Sequence, residues 1–539
     1  MTISLRKCMK IGIWASTSGF IAWSSGCMVG IDYKTPPTTA PASFGESHTP
    51  ATQPVGDIAH YWKTFNDPEL NSLIERAMKN NNSFLQAQAV VRQARAQLGV
   101  QIGNEFPTLT ANAGATREQV SRNLSASVGG TTGTSGTATG TGTTGGTGTT
   151  GGTGIGGTTG TNSGGVGGSA GTSLASRRIS VFQGALDAGW EIDVFGGNAR
   201  GIQGAEFNLE AQVNARRYAL VSLTAEVATD YTLLRGYQLS LKLTRDNAKS
   251  EQQTLELTKS RFSAGLVSDL DVAQAEASVA ETVAEEPTLE IEIRQEIHAI
   301  SILLGEEPMA LMRELEVVKP IPPTPAEIPV GLPSELLRNR PDVMQAERTL
   351  ANSTANIGVA VANLFPKFSL TGTLGQESGR LGLIARDGSS IWSIGPTVSW
   401  QILDYNQLQS EVRVTNAQQA QALYAYRQTV LQSFSDVENA LVAYAQDQIR
   451  TKAINDEVTA NQRATDLSTQ LYERGLGTFL DVLTAERGLY SAQSDQAVSR
   501  ANVATDLVAL YKALGGGWDR DDEQKFDKFE DPKTPAPVQ

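Results

Sequence analysis

Phe365-Pro366-Lys367-Phe368-Ser369-Leu370-Thr371-Gly372-Thr373-Leu374 alternates apolar and polar residues after its proline, the period of a strand with one face of each kind. The same pattern stands far upstream. After Phe106-Pro107, Leu109, Ala111 and Ala113 alternate with Thr108, Thr110 and Asn112. Two further runs complete the set. Phe182, Leu186, Ala188, Trp190 and Ile192 interleave with Gln183, Asp187, Glu191 and Asp193, and Trp392, Ile394, Val398, Trp400 and Ile402 interleave with Ser393, Thr397, Ser399 and Gln401. Each run has about the 9–11 residues of a tilted membrane strand. Trp and Phe near the ends suit an interfacial girdle. A soluble sandwich also alternates, but four strands in 539 residues make a poor one. A membrane barrel takes at least about eight strands and has no open edge. The runs therefore predict a barrel shared between chains, about twelve strands from three copies.

The chain repeats itself. Ser83-Phe-Leu-Gln-Ala-Gln88 aligns with Asp342-Val-Met-Gln-Ala-Glu347, and Gly99-Val100, Asn104 and Phe106-Pro107 align with Gly358-Val359, Asn363 and Phe365-Pro366, all at an offset of 259. A later block repeats at 210: Trp190 with Trp400, Phe262-x-x-Gly265 with Tyr472-x-x-Gly475, Leu270-Asp271-Val272 with Leu480-Asp481-Val482, Ala275-Glu276 with Ala485-Glu486, and Leu304-Gly305 with Leu514-Gly515. The first repeat thus carries 259 − 210 = 49 extra residues between Pro107 and Trp190. The tract Gly129–Gly171, almost all Gly, Thr and Ser, lies there. Its composition cannot bury a core, so it reads as a flexible insertion in the loop between the first two strands.

Between Pro107 and Pro287, and again between Pro396 and Pro532, there is no proline. Asn198 to Arg261 and Asn406 to Arg474 are rich in Ala, Gln, Leu, Glu and Arg, with Leu220, Leu223, Val227, Tyr231 and Leu234 at three- and four-residue steps. Each predicts a helix of roughly 60 residues, about 90–100 Å long. That is long for a globular domain and points to a coiled coil or helical barrel. Gly265 and Gly475 end these helices as C-cap glycines would. Shorter returning helices follow over Asp269–Leu304 and Phe479–Leu514.

The N-terminus reads as an export signal: Arg6, Lys7 and Lys10, then an apolar run from Ile11 to Trp23, then Ser24-Ser25-Gly26-Cys27. The run is too short for comfortable membrane spanning, which needs about 20 residues. Small residues before Cys27 fit lipoprotein processing with lipidation of that thiol; the other reading is a plain secretory signal with an incidental cysteine. No later stretch offers a transmembrane helix. The net charge of −13 argues against nucleic acid as a partner. With three scattered His and two Cys, no metal site, cofactor site or nucleophilic constellation is visible, so no enzyme activity is expected.

Several motifs together resemble the outer-membrane efflux protein family, the TolC-like exit ducts, and within it the lipoprotein, NodT-type branch. They are Cys27-Met-Val-Gly-Ile-Asp-Tyr33 with Pro36-Pro37, Tyr61-Trp62, Phe65-x-Asp67-Pro68-x-Leu70, Arg340-Pro341-Asp342, Phe365-Pro366, Tyr472-x-x-Gly475 and the ending Leu510-Tyr-Lys-Ala-Leu-Gly-Gly-Gly-Trp518. The resemblance spans Cys27 to Trp518. It implies a mixed α and β membrane protein: a homotrimer whose barrel of about twelve strands sits in outer-membrane lipid and continues as a periplasmic helical barrel. A periplasmic adaptor and an inner-membrane pump of the resistance-nodulation-division type would complete a small-molecule efflux machine. An outer duct for type I protein secretion remains an alternative, and a passive porin or structural envelope protein is one of another class. The implied division is a signal (1–26), a lipidated extended segment (27–60), a first repeat (61–320, with the 129–171 insertion), a second repeat (321–518) and a polar tail (519–539). In the family the periplasmic tip closes just after the Gly of Tyr-x-x-Gly. Here Leu480 falls on an apolar constriction position and Asp481 on a carboxylate position, with Asp271 as its repeat partner. Thr484 stands where a second Asp is common, and Gln274 in the first repeat. Asp271 and Asp481 equally suit helix N-caps or first turns.

Overall fold

The computed structural model describes residues 28–37, 41, 43–45, 58–119, 178–325 and 338–519. The expected signal peptide, Cys27 and the Gly129–Gly171 tract lie outside the described residues, as does the tail from 520 onward. The described residues form two compact units.

The smaller unit, 107–190 with 369–397, is built on a four-stranded sheet in the order β1-β2-β3-β4. The strands are β1 (Thr108–Gln119), β2 (Arg178–Ile192), β3 (Lys367–Ser378) and β4 (Ser390–Ser399). β1 and β2 run antiparallel with Leu109 opposite Ala188, Thr110 opposite Asp187 and Ala111 opposite Leu186. In these three pairs apolar meets apolar and polar meets polar, whereas further along Asn112 faces Ala185, Thr116 faces Val181 and Glu118 faces Ile179. On the polar face Asp187 accepts from Asn112 Nδ2 and Thr373 Oγ1, both at 2.7 Å. On the other face Leu109, Leu186, Leu374, Trp392 and Ile394 stand exposed. β1 and β4 are edge strands with no further partner among the described residues.

Two strand expectations need correction. β1 and β3, of 12 residues, and β2, of 15, exceed the expected length. β4 stops at Ser399, so Trp400 and Ile402 are not in it. The indole Nε1 of Trp400 instead donates to the carbonyl of Leu364 at 3.1 Å, where the chain is already turning into the next helix.

The larger unit is helical: α1 (Pro68–Asn80), α2 (Asn82–Gly103), α3 (Gly197–Ser263), α4 (Asp269–Leu303), the single turn α5 (Met312–Leu315), α6 (Pro341–Ala362), α7 (Tyr405–Glu473) and α8 (Phe479–Ala513). α3 and α7 have 67 and 69 residues, about 100 Å each at the usual rise. α4 continues through Pro287, which removes one backbone bond without ending the helix. The order α2-β1-β2-α3-α4 recurs as α6-β3-β4-α7-α8. α3 packs on α4, α6 and α8, and α7 on α6 and α8.

The main core explains the remaining motifs. Tyr61, Trp62 and Phe65 bury beside Leu70, Leu73 and Ile74 against Tyr231, Leu234, Ile297, Ile300, Leu507 and Tyr511. Tyr61 stacks on Tyr511 at 4.9 Å. Asp67 caps α1 through the amides of Glu69 (2.9 Å) and Leu70 (3.2 Å), with Pro68 in the first turn, where no amide is needed. The second oxygen of Asp67 accepts from Tyr231 at 2.7 Å. Arg340 is buried and bonds Asp342, Asp436 and the carbonyl of Ala513, tying the start of α6 to α7 and the end of α8. Trp518 lies 4.6 Å under Arg217 and donates to the carbonyl of Asn339.

Candidate gate at the helix turns

The α3–α4 and α7–α8 turns are built alike. Gly265 and Gly475 have φ of 72° and 76°, the left-handed region in which a side chain would be strained. Leu266 N donates to the carbonyl of Arg261, and Leu476 N to that of Leu471, each at 2.9 Å. These are the six-to-one bonds of a Schellman stop.

The next helices carry the predicted aspartates in their first turns. Asp481 Oδ2 accepts from Thr478 N (2.9 Å) and Thr478 Oγ1 (2.7 Å), and Asp481 N is 3.3 Å from that hydroxyl, a reciprocal capping box. Asp271 Oδ2 accepts likewise from Ser268 N and Oγ at 2.9 and 2.8 Å. The Thr478 hydroxyl, helped by the Thr478 amide, holds the fully exposed Asp481 carboxyl below its ordinary range. Both aspartates therefore do cap, as one of the two readings held. Thr484 turns its hydroxyl back to the carbonyl of Leu480 at 2.7 Å, a bond local to its own helix. Leu480 itself is 60% exposed, and Leu266, Leu270 and Leu476 are also exposed. The two turns thus present apolar side chains and carboxylates to their surroundings.

Just behind the turns, a residue that the motifs passed over joins the two hairpins. Arg261, in the last turn of α3, places its guanidinium 4.4 Å over the Tyr472 ring and donates to the Tyr472 backbone carbonyl. Tyr472 is 1% exposed, packs edge-on against Phe479 at 6.0 Å, and donates to Thr258 Oγ1 at 3.3 Å. Leu255, Val272, Ala275, Val482 and Leu483 complete this small core. The repeat fails here: Leu471 stands at the position matching Arg261, and Phe262, the counterpart of Tyr472, is 43% exposed. That departure from the repeat was the available sequence signal.

Among the described residues no group of three or more His, Cys, Asp or Glu is arranged to hold a metal. No described helix is long and apolar enough to cross a membrane.

The model of the outer membrane efflux protein family matches residues 73–306 and 332–516. The chain belongs to that family. It is 31% identical over 503 residues to Nodulation protein T of Rhizobium leguminosarum bv. trifolii, covering 93% of this chain and 97% of the relative. It is 30% identical over 500 residues to the probable efflux pump outer membrane protein TtgC of Pseudomonas putida, covering 92% and 93%. The solved outer-membrane channel OprN superposes with a TM-score of 0.77 at 31% identity, over 91% of this chain and 100% of that one. The outer membrane channel CmeC of Campylobacter jejuni shares the fold, with a TM-score of 0.79 over 93% of this chain and 98% of that one, at 20% identity. This is a family of channel and efflux proteins, not of enzymes, and its members act at the bacterial outer membrane.

Proposed function

We propose that this efflux protein is the outer-membrane duct of a tripartite small-molecule efflux system, working as a homotrimer. The observation that carries the reading is the sheet: four strands with one apolar face uncovered and two open edges. Lipid forbids open edges, so such a sheet closes only with copies of itself, and three copies give about twelve strands. The long helices of three copies would line a periplasmic helical barrel. Transport is passive within the duct. The energy comes from an inner-membrane pump, of the resistance-nodulation-division type, through a periplasmic adaptor. The names of relatives such as TtgC, an efflux pump outer membrane protein, support efflux. The chain divides into the signal (1–26), the lipidated segment (27–60), two duct repeats (61–320 and 321–518) and a tail (519–539). Cys27 carries the lipid anchor. Leu480, with Asp481 and Asp271, forms the constriction at the periplasmic end, and Thr484 stands beside it.

The test is deletion of the gene and growth against a panel of antibiotics, dyes, solvents and metals, with native mass determination of the purified protein. Sensitivity restored by the gene, together with a three-chain mass, supports the reading. Unchanged tolerance together with a monomeric protein overturns it.

A further inference from the structure

The hairpins enclose two carboxylates that the gate does not use. Glu251 on α3 is 6% exposed and Glu486 on α8 is 9% exposed. Glu251 Oε1 accepts from Ser278 Oγ of α4 at 3.0 Å, and Glu486 Oε1 accepts from Thr254 Oγ1 of α3 at 2.7 Å. The Thr282 hydroxyl of α4 also lies near Glu251. Glu251 Oε2 is shut off from solvent without a partner. The charged groups facing the pair are few. α4 brings Glu281, and α8 brings Arg487, which is held by Glu281 at 3.1 Å. Tyr490 of α8 feels Glu251 as well and is bonded to Glu285 of α4.

An ionised carboxylate inside packed helices carries a large desolvation cost unless a cation meets it. Here hydroxyls meet the pair, and the nearby cation is engaged elsewhere. Burial drives the Glu251 carboxyl above its ordinary range, and the Ser278 and Thr282 hydroxyls offset this in part. Burial does the same to Glu486, with the Glu251 charge adding to it and Thr254 opposing.

The hairpin fold does not demand these acids. At the 210 offset Glu251 corresponds to Asn461, a neutral residue bonded to the carbonyl of Gly488. Glu486 corresponds to Glu276, which is exposed and ion-paired with Lys259 at 2.7 Å. The second repeat has no acid where Glu251 stands, and the first keeps its Glu276 in water. The two acids are buried together only where α3 and α4 meet α8, about ten residues or ~15 Å along α3 from Arg261.

We propose that Glu251 and Glu486 form a proton-operated lock between the two hairpins of one chain. While each carboxyl holds its proton, α8 stays against α3 and α4. Loss of the protons draws the carboxylates toward water and parts the hairpins. This rests on the reading of the adjoining turns as the duct's gate.

The sign follows from linkage. The closed arrangement binds protons more tightly than a parted one in which both carboxylates are hydrated. Its advantage is full below the ordinary carboxylate range and is lost as pH rises through the raised values. Each unit by which burial raises a carboxyl is worth about tenfold in the closed-to-open ratio.

The test uses the full-length protein in planar bilayers, as wild type and as the Glu251→Gln, Glu486→Gln double variant. Glutamine keeps the shape and an accepting oxygen. Wild-type resting conductance should rise as pH is raised through the lifted carboxyl range, and the double variant should stay flat at the low-pH level. The same pair is melted across that range in detergent. The wild-type midpoint should fall more steeply as pH rises than that of the double variant, which keeps the half-buried carboxyls of Glu296, Asp230 and Asp506. Identical pH profiles for the two proteins, in conductance or in melting, overturn the lock. If the wild type conducts at no pH, the duct reading fails, while the melting comparison still judges the lock by itself.

Discussion

Arg261 reaches from the end of α3 to the end of α7, where its guanidinium covers the Tyr472 ring at 4.4 Å and donates to the Tyr472 carbonyl. One side chain thereby supplies a helix C-terminus with both a hydrogen bond and a positive charge, which the last turn's carbonyls favour. It is also a bond between hairpins.

Arg261→Met should therefore loosen the tip. The lost cation–π contact and hydrogen bond together are worth about 1–3 kcal/mol in a partly buried site. Arg261→Lys should fall between, because an ammonium keeps the charge and loses the planar stack. Resting conductance in planar bilayers should rank Met above Lys above wild type. Equal conductance in all three would remove Arg261 from the closed state.

The segment behind Cys27 is seated by its own contacts. Arg200, nearly fully buried, pairs with Asp32 at 2.7 Å and donates to the carbonyl of Val29 at 3.1 Å. Tyr33 and Thr35 donate to Glu347 at 3.1 and 3.2 Å. Gly30 lies so close to Gly358 that an added Cβ would stand 2.6 Å from the Gly358 Cα, and its φ is 99° besides. Gly30→Ala should accordingly unseat the strap, at a cost of about 1–3 kcal/mol. Arg200→Met should do so too. Limited proteolysis of purified protein should then cut within residues 28–37 well before the wild type is cut, and equal cutting rates would show that the strap needs neither residue.

Much of this architecture was legible because glycine and the repeat punctuate it. Gly265 and Gly475 mark the ends of α3 and α7, and the expected helices lie within two residues of those found at either end. The alternation of Leu109, Thr110 and Ala111 with their neighbours foretold a strand with one apolar and one polar face, but not its register against β2. Other features had no local signal. The end of β4 depends on Trp400 finding the carbonyl of Leu364, a tertiary contact. The burial of Glu251 and Glu486 depends on three helices meeting, and helical periodicity reports a face, not the depth at which a third helix covers it. Arg261 was hidden for a different reason: it departs from the repeat, and a search by self-similarity passes over such residues.

Deleting Gly129–Gly171 should leave the protein assembled and active. The tract carries no apolar residue apart from Ala and single Ile and Val residues, a composition with too little apolar surface to build a core. Lengthening or shortening a flexible loop changes closure entropy only by about 0.6 kcal/mol per doubling. Native mass and restoration of drug tolerance in a deletion strain are the measurements. Failure to assemble would make the tract structural.

Intact mass of membrane-extracted protein should place the mature N-terminus at Cys27 with the lipid attached. The motive is the small-residue run Ser24-Ser25-Gly26 before that thiol. A mature start elsewhere, or a free thiol at Cys27, would refute lipidation.

The last prediction separates capping from gating at Asp481. The carboxyl closes a capping box with Thr478, and Asp271 does the equivalent with Ser268. Three chains would bring six such carboxylates to one narrow bore. Close carboxylates attract cations, and acidic rings select them. Capping already holds Asp481 below its ordinary range, so this charge persists at mildly acidic pH and fades only as pH falls through the lowered value. Asp481→Ala should thus weaken cation preference and block by multivalent cations in planar bilayers, and adding Asp271→Ala should weaken both further. Asp481→Ser keeps a residue able to hydrogen-bond locally but removes the charge, so it should spare stability more than alanine while losing selectivity equally. Leu480→Ser should do the opposite of the charge variants: it deletes an exposed apolar side chain, leaves the carboxylates, and should raise resting conductance with cation preference intact. If Asp481→Ala lowers the melting temperature while selectivity and block stay at wild-type values, the aspartate is a cap alone and the constriction lies elsewhere.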